Sequence, residues 1–197
     1  MNIELALKDL LPFGSAFFGA VTGGLITFTI ARSKEKKEAR QKQVESILEL
    51  EAELSRMQSE TMEFKTEVAK LQYKFNSFKD VDKDNEKVKF YENLNKYFDK
   101  QILGKRETLC TPAIHIDEIT FIKVRESYND LFVIFGKTRK SNFQGDIILN
   151  FDKYLEVVIK AMEEILLKIN ELRMYLRMNE VKYTDLYLKK YIKKISN

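Results

Sequence analysis

Few residues in this chain have the type and spacing to do chemistry. Asp80, Asp82 and Asp84 stand at alternate positions in DVDKDNEK, the spacing of the first three ligands of a calcium loop. Such a loop needs glycine at its sixth position and a bidentate glutamate at its twelfth, and here those positions hold Asn85 and Tyr91. The stretch reads instead as a turn in which Asp82 or Asp84 caps the next helix. Cys110 and His115, with no third partner nearby, read as structural rather than nucleophilic or metal-binding. There is no glycine-rich phosphate loop and no cysteine–histidine cluster, and the carboxylates fall at helix-surface spacing. The sequence therefore predicts no catalytic residue, no cofactor and no metal, and a protein that is not an enzyme.

What remains is the chemistry of surfaces. Ser15, Gly19 and Gly23 fall four apart, and Ala16, Ala20 and Gly24 form a second row beside them. Small residues at this spacing line one helix face, where another backbone can approach closely. Both rows lie in Leu10–Ala31, which carries no charge and is bounded by Asp9 and Arg32. Roughly 22 residues at about 1.5 Å each make about 33 Å of helix, against a hydrocarbon core of about 30 Å. A cleaved signal peptide would need a basic start and a shorter apolar core, whereas the first nine residues set Glu4 and Asp9 against Lys8. A buried core helix would be shorter. The expectation is a transmembrane helix over 10–31 that self-associates through these two rows.

Charge then orients the chain. In a basic collar over 32–45, Arg32, Lys34, Lys36, Lys37, Arg40 and Lys42 are set against only Glu35 and Glu38 as far as Lys42, with Glu45 at its end. The positive-inside rule places residues 1–9 outside the cell membrane and 46–197 in the cytoplasm. The collar is expected to lie on anionic headgroups, with the lipid bilayer as partner. The net charge of +4 is mild, and much of it sits in this collar and at the C-terminus, which favours lipid over nucleic acid as the anionic partner. One cysteine permits no internal disulfide, in keeping with a reducing compartment.

The elements follow from punctuation and periodicity. Between Leu25 and Leu103, and from Asp146 to the end, there is neither glycine nor proline. In the first of these stretches Ile47, Leu50, Leu54, Met57, Thr61, Phe64, Val68, Leu71, Phe75 and Phe78 alternate steps of three and four, with one polar break at Thr61. In the second, Phe151, Leu155, Val158, Met162, Ile165, Ile169, Leu172 and Leu176 do the same without a break. Long helices are expected at about 46–79 and 146–178, the first continuing from the span. Shorter helices are expected at about 86–103 and 117–135, stopped by Gly104 and Gly136, with a loop over 104–116 between them. Short strands in 113–120 and at the LFVIF run from Leu131 are the competing reading. A basic amphipathic helix at about 181–195 sets Leu188, Tyr191, Ile192 and Ile195 against Lys189, Lys190, Lys193 and Lys194, a pattern suited to a membrane surface.

The expected fold class is all-α: one N-terminal transmembrane helix, then an elongated antiparallel helical bundle, coiled-coil-like, in which the two long seams pair. The three phenylalanines among the seam positions are bulky for a two-stranded coil, so packing against the chain's own later helices competes with a homotypic coiled coil. The layout resembles in outline small single-pass membrane proteins with helical cytosolic domains; the resemblance covers architecture and carries no functional residues. The expected function is a membrane-anchored interaction or scaffold protein, a homo-oligomer through its span with a protein partner for its bundle. The alternative is a small pore-forming effector whose span, lined by Ser15, Thr22 and Thr29, admits water and is gated by the bundle.

Overall fold

The computed structural model describes residues 3–77, 83–141 and 151–189, and of residues 3–21, 83 and 139–141 the backbone alone. Among the described residues every element is helical, so the fold is all-α. The helices are α1 (Ile3–Ser77), α2 (Lys83–Gln101), α3 (Arg106–Ile116), α4 (Glu118–Ser141) and α5 (Phe151–Tyr187), with a 3-10 turn at Leu103–Lys105 between α2 and α3. The chain divides into two compact units: residues 42–186, and residues 1–41 with 187–197.

The larger unit is a helical bundle built by its two seams. Ile47, Leu50, Leu54, Met57, Thr61, Phe64, Val68 and Phe75 are buried on α1, and all eight expected seam residues are buried on α5. Phe78, the last seam position of the first stretch, lies outside the described residues. The two faces pack against each other in antiparallel register. Arg177 Nε donates to Glu51 Oε1 at 2.8 Å, Gln58 Nε2 to Asn170 Oδ1 at 3.2 Å, Lys65 Nζ lies 2.7 Å from Glu163 Oε1, and the Phe75 ring sits 5.1 Å from that of Phe151. Each step up α1 is matched by a step down α5. The α1 seam is thus occupied by the chain's own helices.

The shorter helices complete the bundle. α2 runs antiparallel to α1, with Lys74 2.9 Å from Glu86 at one end, Phe64 stacked on Tyr97 at 4.6 Å, and Lys100 3.1 Å from Glu60 further down. The chain then breaks at Leu103–Lys105 and resumes as α3, whose last carbonyl, that of Ile116, accepts a bond from Gln43 Nε2 at 2.8 Å. α4 returns beside α2, where Phe98 stacks on Phe135 at 4.1 Å, and antiparallel to α5, where Lys168 lies 3.3 Å from Asp130. The result is an up-down-up-down arrangement with a broken second member.

Three sequence expectations are corrected. The loop over 104–116 is helical from Arg106, because Leu109, Ala113 and Ile116 fall on one buried face; the lone Pro112 removes one backbone donor but does not end the helix. Gly136 does not stop α4, which continues to Ser141 with Thr138 buried and its hydroxyl on the Phe135 carbonyl at 2.6 Å. The possible strands at 113–120 and 131–135 are helix. Leu131, Ile134 and Phe135 point inward while Phe132 and Val133 are exposed, which is a helical and not an alternating pattern. Between α3 and α4 a single extended residue, Asp117, makes the corner. Its Oδ1 accepts the Thr120 backbone N–H at 2.6 Å, the bond of an N-cap.

Candidate functional site

The smaller unit contains the first part of α1. From Thr22 to Ala39 every residue is exposed. Leu25, Ile26, Phe28 and Ile30 present between 59% and 64% of their surface. Apolar side chains of this size are more often buried, and here four of the six residues from Leu25 to Ile30 are large, apolar and exposed. The threonines among them are already satisfied by their own helix: Thr27 Oγ1 donates to Gly23 O at 2.8 Å and Thr29 Oγ1 to Leu25 O at 2.6 Å. Their hydroxyls can therefore leave water without an orphaned donor.

Of the small residues expected to pack span against span, Gly23 and Gly24 are exposed, and a Cβ built at either meets nothing within 4 Å. Another backbone has room to approach there. Ser15, Ala16, Gly19 and Ala20 lie on α1, where only the backbone is described. Among the described residues no helix is long and apolar enough to cross a membrane. The expected span over 10–31 falls in large part on residues 10–21, whose side chains are not among them.

The collar cations Arg32, Lys34, Lys36 and Lys37 are exposed, as is Lys42, and Arg40 is half-buried. Lys34 Nζ lies 3.8 Å from Glu38 Oε1, a loose i,i+4 pair. Leu188 and Lys189, just past the end of α5, are exposed, whereas Lys190, Lys193 and Lys194 lie outside the described residues. Asp80 and Asp82 also lie outside them, and Asp84 is exposed beside Lys87 at 3.4 Å. Among the described residues no group of acidic, histidine or cysteine side chains could hold a metal ion.

Within the bundle the structure assembles polar contacts that sequence spacing does not announce. Lys105, in the break between α2 and α3, is buried and sits 2.7 Å from Glu53 Oε1, while Arg56 bonds the other carboxylate oxygen. Tyr183 OH donates to Asp117 Oδ2 at 2.7 Å, and Thr120 Oγ1 lies 3.2 Å from Tyr175 OH. Burial pushes the Asp117 carboxyl up, but the bonds from Tyr183 and Thr120, with Lys182 nearby, outweigh it and hold Asp117 below the usual carboxylate range. Burial, reinforced by Asp117, pushes Tyr183 up to about 12. Cys110 is half-buried and its thiol is pushed up by burial, against the pull of Arg106 and Arg125, which is opposite to what a nucleophilic thiolate requires. His115 is exposed.

Two surface features of the bundle complete the picture. A groove of about 430 Å³ between α1 and α3 is lined by Glu49, Glu53, Glu107, Thr108, Thr111 and Pro112. On α5, Leu167, Met174, Met178 and Val181 are exposed on the face opposite the core. Their spacing of seven, four and three makes a second, weaker apolar stripe on α5 behind the main seam.

With this geometry in place, comparison with known proteins adds nothing to it. No protein-family model, no curated protein and no solved structure matches the chain.

Proposed function

We propose that this chain is a non-enzymatic, membrane-anchored scaffold or interaction protein, held in the bilayer by residues 10–31, with its helical bundle on the cytoplasmic side. The observation that carries the reading is the run of exposed apolar residues Leu25, Ile26, Phe28 and Ile30 on a helix that contains the whole uncharged stretch and passes directly into a cationic collar. Apolar surface exposed in this amount is worth roughly 25 cal/mol per Å² when removed from water, and lipid removes it without a protein partner. The excess of cations after residue 31 sets the orientation.

Assembly is assigned to the span, because the α1 seam is already filled by α5 and Gly23 and Gly24 leave open space. The test is alkaline carbonate extraction of membranes expressing the full chain, followed by native mass in mild detergent. The chain is expected to stay in the membrane fraction and to run as an oligomer that Gly19→Leu with Gly23→Leu reduces. Release by carbonate sinks the anchor, and an unchanged mass in the double variant sinks the small-residue interface. If expression depolarises cells and the same double variant abolishes this, the pore reading replaces the scaffold.

A further inference from the structure

We infer, resting on the membrane-anchored reading above, that the basic collar is one-sided: Arg32, Lys36 and Arg40 form the contact for anionic phospholipid headgroups, and Lys34 takes no part in it. These three cations stand four apart, so they share one helix face in a row about 12 Å long. The row extends a line that begins with Gly24 and the exposed Phe28, each again four residues apart. One face of α1 therefore changes from apolar to cationic at Arg32, in the order in which a bilayer changes from hydrocarbon to phosphate.

The rest of the collar is arranged differently. Among the described residues, Arg32, Lys36, Lys37 and Arg40 have no carboxylate in an ion pair, whereas Lys34 is paired with Glu38 at 3.8 Å. At roughly 100° per residue, Glu35 and Glu38 fall about 100° and about 160° around the helix from Lys36. Like charges four apart weaken a helix by themselves, so the row opposes α1 until an anion external to the chain compensates it. Guanidinium and ammonium groups on a phosphate surface supply that compensation, with arginine able to bind bidentately. Helix and membrane are then related by rotation as well as by depth: the face bearing Arg32, Lys36 and Arg40 leans toward the headgroups, and the Lys34–Glu38 face turns to water.

The discriminating comparison is Lys36→Gln against Lys34→Gln, the same charge change two residues apart. Full-length protein in neutral detergent is titrated with phosphatidylserine or phosphatidylcholine and bound lipid is read by native mass spectrometry. A cation at the surface of an anionic membrane contributes enough that the apparent affinity for phosphatidylserine should fall about fivefold in Lys36→Gln, and similarly in Arg32→Gln and Arg40→Gln. Lys34→Gln should stay within about twofold of the parent, and phosphatidylcholine binding should not change. Equal losses in Lys36→Gln and Lys34→Gln, or no loss in either, overturn the one-sided collar. Binding of a single-stranded oligonucleotide that depends on Lys36 more strongly than lipid binding does would reassign the row to nucleic acid. Carbonate extraction of the unaltered chain separates these outcomes from failure of the anchor, since an extractable protein refutes the membrane reading whatever its lipid preference.

Discussion

The hydroxyl of Thr61 lies 2.6 Å from the phenol oxygen of Tyr97, deep between α1 and α2. Thr61 Oγ1 also donates to the Met57 carbonyl at 2.6 Å, so its single proton is committed and the tyrosine is the donor in the pair. Burial pushes Tyr97 up to about 12, with Glu60 adding to the rise. The one polar residue in the α1 seam is therefore the acceptor that lets a tyrosine enter the core, where its ring stacks on Phe64.

From this pairing the cost of each substitution is ordered. Thr61→Val keeps the shape but strands the Tyr97 hydroxyl, and should destabilise by about 1–3 kcal/mol. Tyr97→Phe leaves Thr61 bonded to Met57 and should cost about 0.5–1.5 kcal/mol. The double variant should cost less than the sum of the two, because no donor is then left unpaired. Urea unfolding of the three variants, followed by circular dichroism, checks the order; additive costs would show that the two residues are not coupled.

The buried pair of Lys105 and Glu53 pins the break between α2 and α3 onto α1. Lys105→Met leaves the carboxylate largely buried with Arg56 alone, and is expected to cost about 3 kcal/mol. Lys105→Met together with Glu53→Met should recover a large part of that loss, since the uncompensated charge is gone. Thermal melts of the single and double variants measure the recovery.

Asp117 predicts how the bundle responds to acid. Its carboxyl is held below the usual range in the folded chain, so the folded state binds this proton less readily than the unfolded one. The resulting stabilisation is complete above the unfolded value of about 3.9 and is lost as pH falls through the lower folded value. Asp117→Asn should lower the melting temperature at pH 7, and the gap between parent and variant should narrow progressively as pH falls below about 4 toward the lower folded value. A gap that stays constant over that interval would remove Asp117 from the acid response.

Gly136 lies inside α4 without a positive φ, and a Cβ there meets nothing within 4 Å. Gly136→Ala should stabilise by about 0.5–1 kcal/mol, from reduced backbone freedom in the unfolded chain. An increase in the urea midpoint at unchanged slope is the expected result.

Set beside the structure, the sequence alone determined the all-helical class and the seams of α1 and α5. A period of three and four is a local property of the chain: it says which residues share a face before anything is known of what covers that face. It also displayed the uncharged stretch and the cations after it, which carry the functional reading. Tertiary structure decided the rest. Pro112 and Gly136 look like punctuation, yet both lie inside helices, because burying Leu109, Ala113 and Ile116, and Leu131, Ile134 and Phe135, outweighs one missing backbone donor or one flexible residue. Thr61 looks like a flaw in the seam until Tyr97 arrives from 36 residues away. Asp117 becomes a latch when Tyr183 reaches it across 66 residues. Such pairs leave no periodic trace, since a contact between distant residues depends on how the helices dock and not on the spacing within either one.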